Sequence, residues 1–176
     1  MDGSDIKGKW SIFTIGHSNH SLENFLALLQ RHNIQVLVDI RSQPYSKYVP
    51  QFNRDEFEAA VQRDGIIYLF LGRELGGRPD GEEFYDAEGY VLYGRLAESR
   101  LFLQGLARLE EGLRKNCYIA LMCSEEDPTE CHRRLLVARV LVQRNIEVRH
   151  IRGDGSLEIE PDRIPIQMSM FVNLEE

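Results

Sequence analysis

The segment 117–123, Cys-Tyr-Ile-Ala-Leu-Met-Cys, carries no charged side chain and reads as a strand covered by apolar layers on both faces. Such a strand belongs inside a mainly parallel sheet with helices on each side. Beyond Cys123 the chain turns abruptly polar: Ser-Glu-Glu-Asp-Pro-Thr-Glu, then Cys131, His132 and Arg133 at the head of an amphipathic segment. Asp127 suits an N-cap, Pro128 the first helical position and Glu130 the capping-box position, which predicts a helix from there to about Arg144. Cys123 then stands at the strand exit and Cys131 in the first helical turn, where the helix dipole favours a thiolate unless the thiol is buried.

The rest of the chain repeats this alternation. A strand at 10–15 leads to Ser21, which caps a helix reaching about Arg31 with Phe25, Leu26, Leu28 and Leu29 on its inner face. Asn33 closes that helix in the left-handed conformation, and 34–40 is a second strand. The loop 41–54 holds Arg41, Lys47 and Arg54 among Tyr45, Tyr48 and Phe52, with no acidic residue. Asn53, with Glu56 at the capping-box position, starts a helix over 54–64 that Gly65 stops, and 66–71 is a third strand. Residues 72–94 form an irregular insertion of the kind used as a lid, a binding loop or a surface meander. A helix over 96–115, weakened by Gly105 and Gly112, precedes the central strand. The alternating pattern at 146–151 suggests a fifth strand at a sheet edge, with an irregular tail over 153–176 containing Pro161 and Pro165. The expected architecture is a single α/β domain over 1–176 with its core at about 10–152. Its sheet is five-stranded and mainly parallel, with helices on both faces.

Parallel strands deliver their C-terminal ends to one rim, and the ligand crevice of an open α/β fold lies outside those ends. The residues at the strand exits therefore define the expected site: His17 and Ser18, Asp39 and Arg41, Arg73 and Glu74, Cys123 and Glu125, His150 and Arg152. Cys123 is the candidate nucleophile or redox thiol, against the alternative of a buried structural cysteine. Cys117 lies deeper and reads as core. His17 or His132 would serve as acid–base group, and Glu125 as orienting group or base. Asp39 and Arg41, two residues apart, share one side of their strand, so Asp39 orients Arg41 toward the rim or the two form a structural ion pair. Ser18, Asp39, Arg41, Arg73 and Arg133 would hold the ligand, with Gly76 and Gly77 either admitting a close backbone approach or making a turn. The cations and rings of loop 41–54 suit a planar or phosphorylated ligand, or simply pack on the surface.

Cys123, Cys131 and His132, with His17 as a fourth donor, could make a tetrahedral zinc site, but their spacing is not that of a finger or ribbon. A hydrogen-bonded His132 beside unliganded thiols is the expectation, and no cofactor is specified. There is no Walker loop, Gly-x-Gly-x-x-Gly or His-Glu-x-x-His motif. A net charge of −7 and a pI near 5.3 disfavour a nucleic-acid coat, although a local basic patch stays possible. There is no 18-residue apolar span and no signal pattern, so no membrane association is expected and the setting is cytoplasmic. The three cysteines are expected as reduced thiols. Oligomeric state is not legible.

Five motifs occur in order: Thr-Ile-Gly-His-Ser at 14–18, Val-Asp-Ile-Arg-Ser-Gln-Pro at 38–44, Leu-Gly-Gly at 75–77, Leu-Met-Cys-Ser-Glu at 121–125 and Cys-His-Arg at 131–133. Together they resemble the domain of unknown function 488 family over about 11–152. The resemblance implies a small intracellular α/β domain with its signature residues at strand exits, and no settled activity. A fainter similarity is to rhodaneses, which place an Asp-x-Arg after an early strand and a catalytic cysteine at a strand-to-helix joint. The acidic loop after Cys123 is ill suited to a persulfide cradle, and Arg133 is too far along to close a cysteine–arginine loop of the phosphatase kind. The reading is an enzyme acting on an anionic or nucleotide-like small molecule. A non-catalytic nucleotide or nucleic-acid binding module is the alternative, and sulfur transfer or zinc binding are minor ones.

Overall fold

The computed structural model describes residues 9–162, in which six strands form one sheet in the order β3-β2-β4-β1-β5-β6. In chain order these are β1 (Ser11–Gly16), β2 (Val36–Asp39), β3 (Ile67–Phe70), β4 (Ile119–Cys123), β5 (Glu147–Ile151) and β6 (Leu157–Ile159). The first five are parallel and β6 is antiparallel to β5. β4 is buried at every position, as its uncharged sequence requires.

Alternate β4 side chains feed two separate apolar layers. Ala120 and Met122 join Phe25, Leu29, Phe57 and Val61 from α1 (Leu22–Arg31) and α2 (Arg54–Arg63). Ile119, Leu121 and Cys123 join the opposite layer. That layer is covered by α3 (Gly72–Leu75), α4 (Tyr93–Glu98), α5 (Arg100–Arg114), a π-helical turn at Arg133–Ala138 and α6 (Arg139–Gln143). The chain leaving β1 and β2 turns toward one face, and the chain leaving β4 between them turns toward the other. A crevice opens where neighbouring connections diverge in this way.

Four local expectations are corrected. The helix over 96–115 is two helices, because Ser99 breaks it and caps α5 by accepting from the Phe102 N–H at 3.2 Å. Gly105 lets α5 sit against Leu75 and Glu74, which a Cβ there would meet at 2.8 Å. Asn53 precedes α2 without capping it through its side chain, which instead accepts from Ser46 N–H at 2.7 Å. Asp127 accepts from Thr129 N–H at 2.9 Å, but 128–131 is a turn, and helical structure begins at His132 and passes at once into the π-helical segment. β5 is internal, because residues expected in the irregular tail form β6 beside it. Glu160 at the end of β6 accepts from His150 Nε2 at 2.7 Å and from Arg134 Nε at 2.9 Å, fastening the sixth strand to the core. The remainder of the expected tail, from residue 163 and including Pro165, lies outside the described residues. No helix among the described residues is long and apolar enough to cross a membrane.

Candidate functional site

The exit of β1 requires a bare backbone. A Cβ on Gly16 would lie 1.7 Å from the Glu125 carbonyl oxygen, so this glycine lets the loop leaving β4 cross the end of β1. His17 and Ser18 then continue the ladder, their N–H groups donating to Cys123 and Ser124 carbonyls at 3.0 and 2.7 Å. From below, the fully buried Arg133 donates through Nη2 to the Glu125 and Glu126 carbonyls at 3.0 and 3.1 Å. Arg152 grips Glu126 from the side, with Nη2 and Nε donating to its two carboxylate oxygens at 2.9 and 3.0 Å. The loop after Cys123 is thus fixed on three sides.

A cleft of about 430 Å³ opens over this loop, lined by Arg41, Arg78, Tyr93, Cys123, Glu125 and His132 among others. At its floor the Cys131 thiol donates to Cys123 Sγ at 3.2 Å, and the Cys123 thiol donates to Glu125 Oε2 at 3.3 Å. His132 donates from Nε2–H to the Ile40 carbonyl at 3.1 Å. That bond fixes the tautomer and turns the Nδ1 lone pair toward the sulfurs, 3.6 Å from Cys123 and 3.9 Å from Cys131. The hydrogen bond to Cys123, together with burial, pushes the Cys131 thiol well above its ordinary range. Burial opposes ionisation of Glu125, yet its own backbone N–H and the two thiols hold its carboxyl below the usual value. Burial, reinforced by the neighbouring cysteines, pushes the Tyr93 phenol up to about 12, so its hydroxyl stays protonated at the cleft wall.

Behind Arg41 is a closed polar set. Its Nε and Nη2 donate to the two oxygens of Asp39 at 2.9 and 2.6 Å, Nη2 also donates to the Phe52 carbonyl at 2.9 Å, and Nη1 donates to His17 Nε2 at 3.2 Å. Four of the five guanidinium hydrogens are thereby committed, and one on Nη1 is left for the cleft that Arg41 lines. His17 donates from Nδ1 to the Ser18 carbonyl at 2.8 Å, so both ring nitrogens are occupied. Burial lowers its pKa to about 4, the Ser18 bond opposes that and Arg41 adds to it. His17 is therefore a neutral support for Arg41 at physiological pH.

Of the site residues named from sequence, Cys123, Glu125, Cys131, His132, Arg41 and Gly77 line the cleft. Asp39, His17 and Arg133 lie buried behind or beneath it, Ser18 adopts a positive-φ conformation at φ 44° outside the lining, and Arg73 is exposed on α3, also outside the lining. Gly76 and Gly77 serve close packing, since a Cβ would meet Ser42 Oγ at 2.3 Å and the His132 ring at 2.7 Å. Two of the loop's three cations stack on the chain's own rings, Arg54 on Phe70 and Lys47 on Tyr48, leaving Arg41 and Tyr45 as that loop's cation and aromatic in the cleft. His150 is absorbed into the Glu160 network. Arg78 and Tyr93, which close the cleft from the insertion, carried no sequence signal beyond lying in an irregular stretch. Cys123, Cys131 and His132 form a potential metal-ligating group with donor atoms all within 4.8 Å of one another, and His17 is not in it.

The family model described as "Domain of unknown function DUF488" matches residues 21–140, which is 120 of the 176 residues. The chain belongs to the DUF488 family. No curated protein and no solved structure matches it. The DUF488 match takes in Asp39, Arg41, the Gly76–Gly77 pair and the whole segment from Cys123 to Arg133. It begins after β1, so His17 and Ser18 fall outside the matched region.

Proposed function

We propose that this chain is an enzyme whose reaction centre is the Cys123 thiol at the floor of the rim cleft, acting on a small molecule with an anionic group. The reading is carried by the set of proton acceptors around Cys123. Glu125 Oε2 lies at 3.3 Å, and the Nδ1 lone pair of His132, fixed by the Ile40 carbonyl, lies at 3.6 Å. A thiol needs such a neighbour to become a nucleophile, and the neighbour needs a third group to orient it. The proton leaving Cys123 goes to one of these acceptors; the sulfur then bonds to an electrophilic centre of the ligand as the bond from that centre to its leaving group breaks, and the acceptor returns the proton to the departing group.

The anionic group is assigned to the cleft wall, where Arg41 keeps one uncommitted Nη1 hydrogen and Arg78 is exposed. Glu125 and Glu130 also line the cleft, which limits the ligand to one that brings its negative charge to the arginine side. Turnover of phosphate esters, nucleotides and small carboxylates, screened with the wild type and Cys123→Ser, tests the reading. Turnover by the wild type that is lost in a folded Cys123→Ser variant is expected. Turnover retained by that variant would overturn the role of the thiol.

A further inference from the structure

We infer that Cys123, Cys131 and His132 together bind a borderline-soft divalent ion of the zinc class, with its fourth position opening into the cleft. The inference rests on the proposed reading only for the cleft as the place of reaction: with the ion bound Cys123 is a ligand, and it is the free nucleophile of that reading only in the metal-free protein.

The three donor atoms form a triangle close to the one a metal requires. A tetrahedral zinc ion with sulfur at about 2.3 Å and nitrogen at about 2.0 Å sets its ligand atoms about 3.8 Å apart for two sulfurs and about 3.5 Å for sulfur and nitrogen. The corresponding separations here are 3.2 Å between Cys123 and Cys131 Sγ, and 3.6 and 3.9 Å from those sulfurs to His132 Nδ1. To reach the face of a coordination tetrahedron the two sulfurs must part by about 0.6 Å through side-chain rotation, while the sulfur–nitrogen separations already lie within about 0.4 Å of those values.

The imidazole is prepared for the same role. A ligating histidine almost always gives its other ring N–H to a carbonyl or carboxylate, which fixes the tautomer and the ring plane. His132 does this through the Ile40 carbonyl, and its flank rests against Gly77, where no side chain fits. Both cysteines are buried, at 4% and 3% exposure, Cys123 closing β4 and Cys131 lying in the turn that precedes the π-helical segment. The sequence spacing of eight between the thiols therefore says nothing against a site, because the fold supplies the proximity.

The surrounding charge points the same way. The two thiols, the imidazole and the Glu125 carboxylate meet at the cleft floor, each able to accept or share a proton. All three ligands line the cleft, so an ion held there keeps its fourth position accessible, the arrangement of a catalytic rather than a structural zinc site. Binding releases the thiol protons to solvent as the two thiolates bond to the ion, and no oxidation is involved. With both thiol protons released the bound ion adds no net charge to the cleft floor, so an anion would approach from the Arg41 and Arg78 side and take the open fourth position.

The test is titration of the chelator-treated full-length protein with Co2+, then displacement with Zn2+. One equivalent of Co2+ is expected to give a thiolate-to-cobalt charge-transfer band and intense visible bands of tetrahedral type, which Zn2+ abolishes. Cys131→Ser should lower the affinity at least tenfold, whereas Cys117→Ser, remote from the cluster, should leave it unchanged. Should Cys131→Ser not fold, site-resolved alkylation of the wild type serves instead: Zn2+ is expected to protect Cys123 and Cys131 and to leave Cys117 unaffected. Absence of the charge-transfer band at excess Co2+, or alkylation of Cys123 and Cys131 indifferent to Zn2+, would overturn the inference. Adding AMP to the cobalt form separates the two claims. A cobalt spectrum that forms but ignores AMP, in a protein whose Cys123 AMP also fails to shield, supports the metal site and contradicts the anion-binding reading. Shielding of Cys123 by AMP with no cobalt binding does the reverse.

Discussion

Asp39 and Arg41 form a two-point ion pair beneath the cleft, with Nε and Nη2 of the guanidinium 2.9 and 2.6 Å from the two carboxylate oxygens and exposures of 0% and 5%. The pair is completed by the Tyr68 hydroxyl, which donates to Asp39 Oδ2 at 2.6 Å. Removing one partner of a buried pair strands the other charge, at a cost of about 3–5 kcal/mol. Asp39→Asn should lower the unfolding free energy by about 3 kcal/mol in urea denaturation, with an unchanged slope against denaturant. A loss below about 1 kcal/mol, the range of exposed pairs, would mean that the pair is solvated in solution.

The neutral state of His17 gives a pH dependence with a definite sign. Its folded pKa of about 4 lies below the ordinary 6.5, so the unfolded chain takes up the proton first. The stabilisation is fully present above pH 6.5 and is lost as pH falls toward 4. At about 1.4 kcal/mol per pH unit it amounts to about 3 kcal/mol. Replacing His17 with Gln should flatten the stability profile between pH 7 and 4 by about that amount relative to the wild type. Equal slopes for the two proteins would contradict the assignment.

Two glycine substitutions separate close packing from simple helix propensity. Gly77→Ala puts a methyl group 2.7 Å from the His132 ring, so the ring must move, and Co2+ affinity should drop about tenfold or more. Gly94→Ala, exposed in α4 with nothing within 4 Å, should leave cobalt binding intact and raise stability by about 0.5–1 kcal/mol. Equal effects of the two on cobalt binding would argue against a role for Gly77.

Glu160 supplies a third stability test, because it joins His150 on β5 and Arg134 on the π-helical turn from a position 4% exposed. Burial works against its ionisation, but the bonds from His150 and Arg134 hold its carboxyl below the usual range. Glu160→Ala should cost about 3 kcal/mol and speed amide exchange in β6 more than in β4. Uniform acceleration across the sheet would mean that β6 does not open on its own.

The parallel sheet was legible because uncharged runs such as that of β4 have few other uses in a chain of this size. The sixth strand was not, since Leu157–Ile159 is short and exposed and its attachment depends on Glu160, a charged residue whose burial no local pattern announces. At the site, strand exits led to Cys123, Glu125 and Arg41, because topology alone brings those ends to one rim. Arg133 and His17 were also at the rim in sequence, but their side chains turn under the loops they support, a direction that spacing does not encode. Arg78 and Tyr93 enter from an insertion without a repeating pattern, so nothing local singled them out. The convergence of Cys131 and His132 on Cys123 is tertiary as well, arising where a turn and a π-helical segment replace the regular helix start that Asp127, Pro128 and Glu130 suggest.

Occupancy of the cleft above Cys123 by an anionic small molecule is decided by the rate of Cys123 alkylation as AMP is added. Measured residue by residue by mass spectrometry, the rate should fall along a saturable curve for Cys123, stay constant for Cys117, and lose its dependence on AMP in the Arg78→Ala variant. The same measurement with inorganic phosphate reports whether the anionic group alone is enough. A Cys123 rate independent of AMP and phosphate at every concentration would refute anion binding in the cleft.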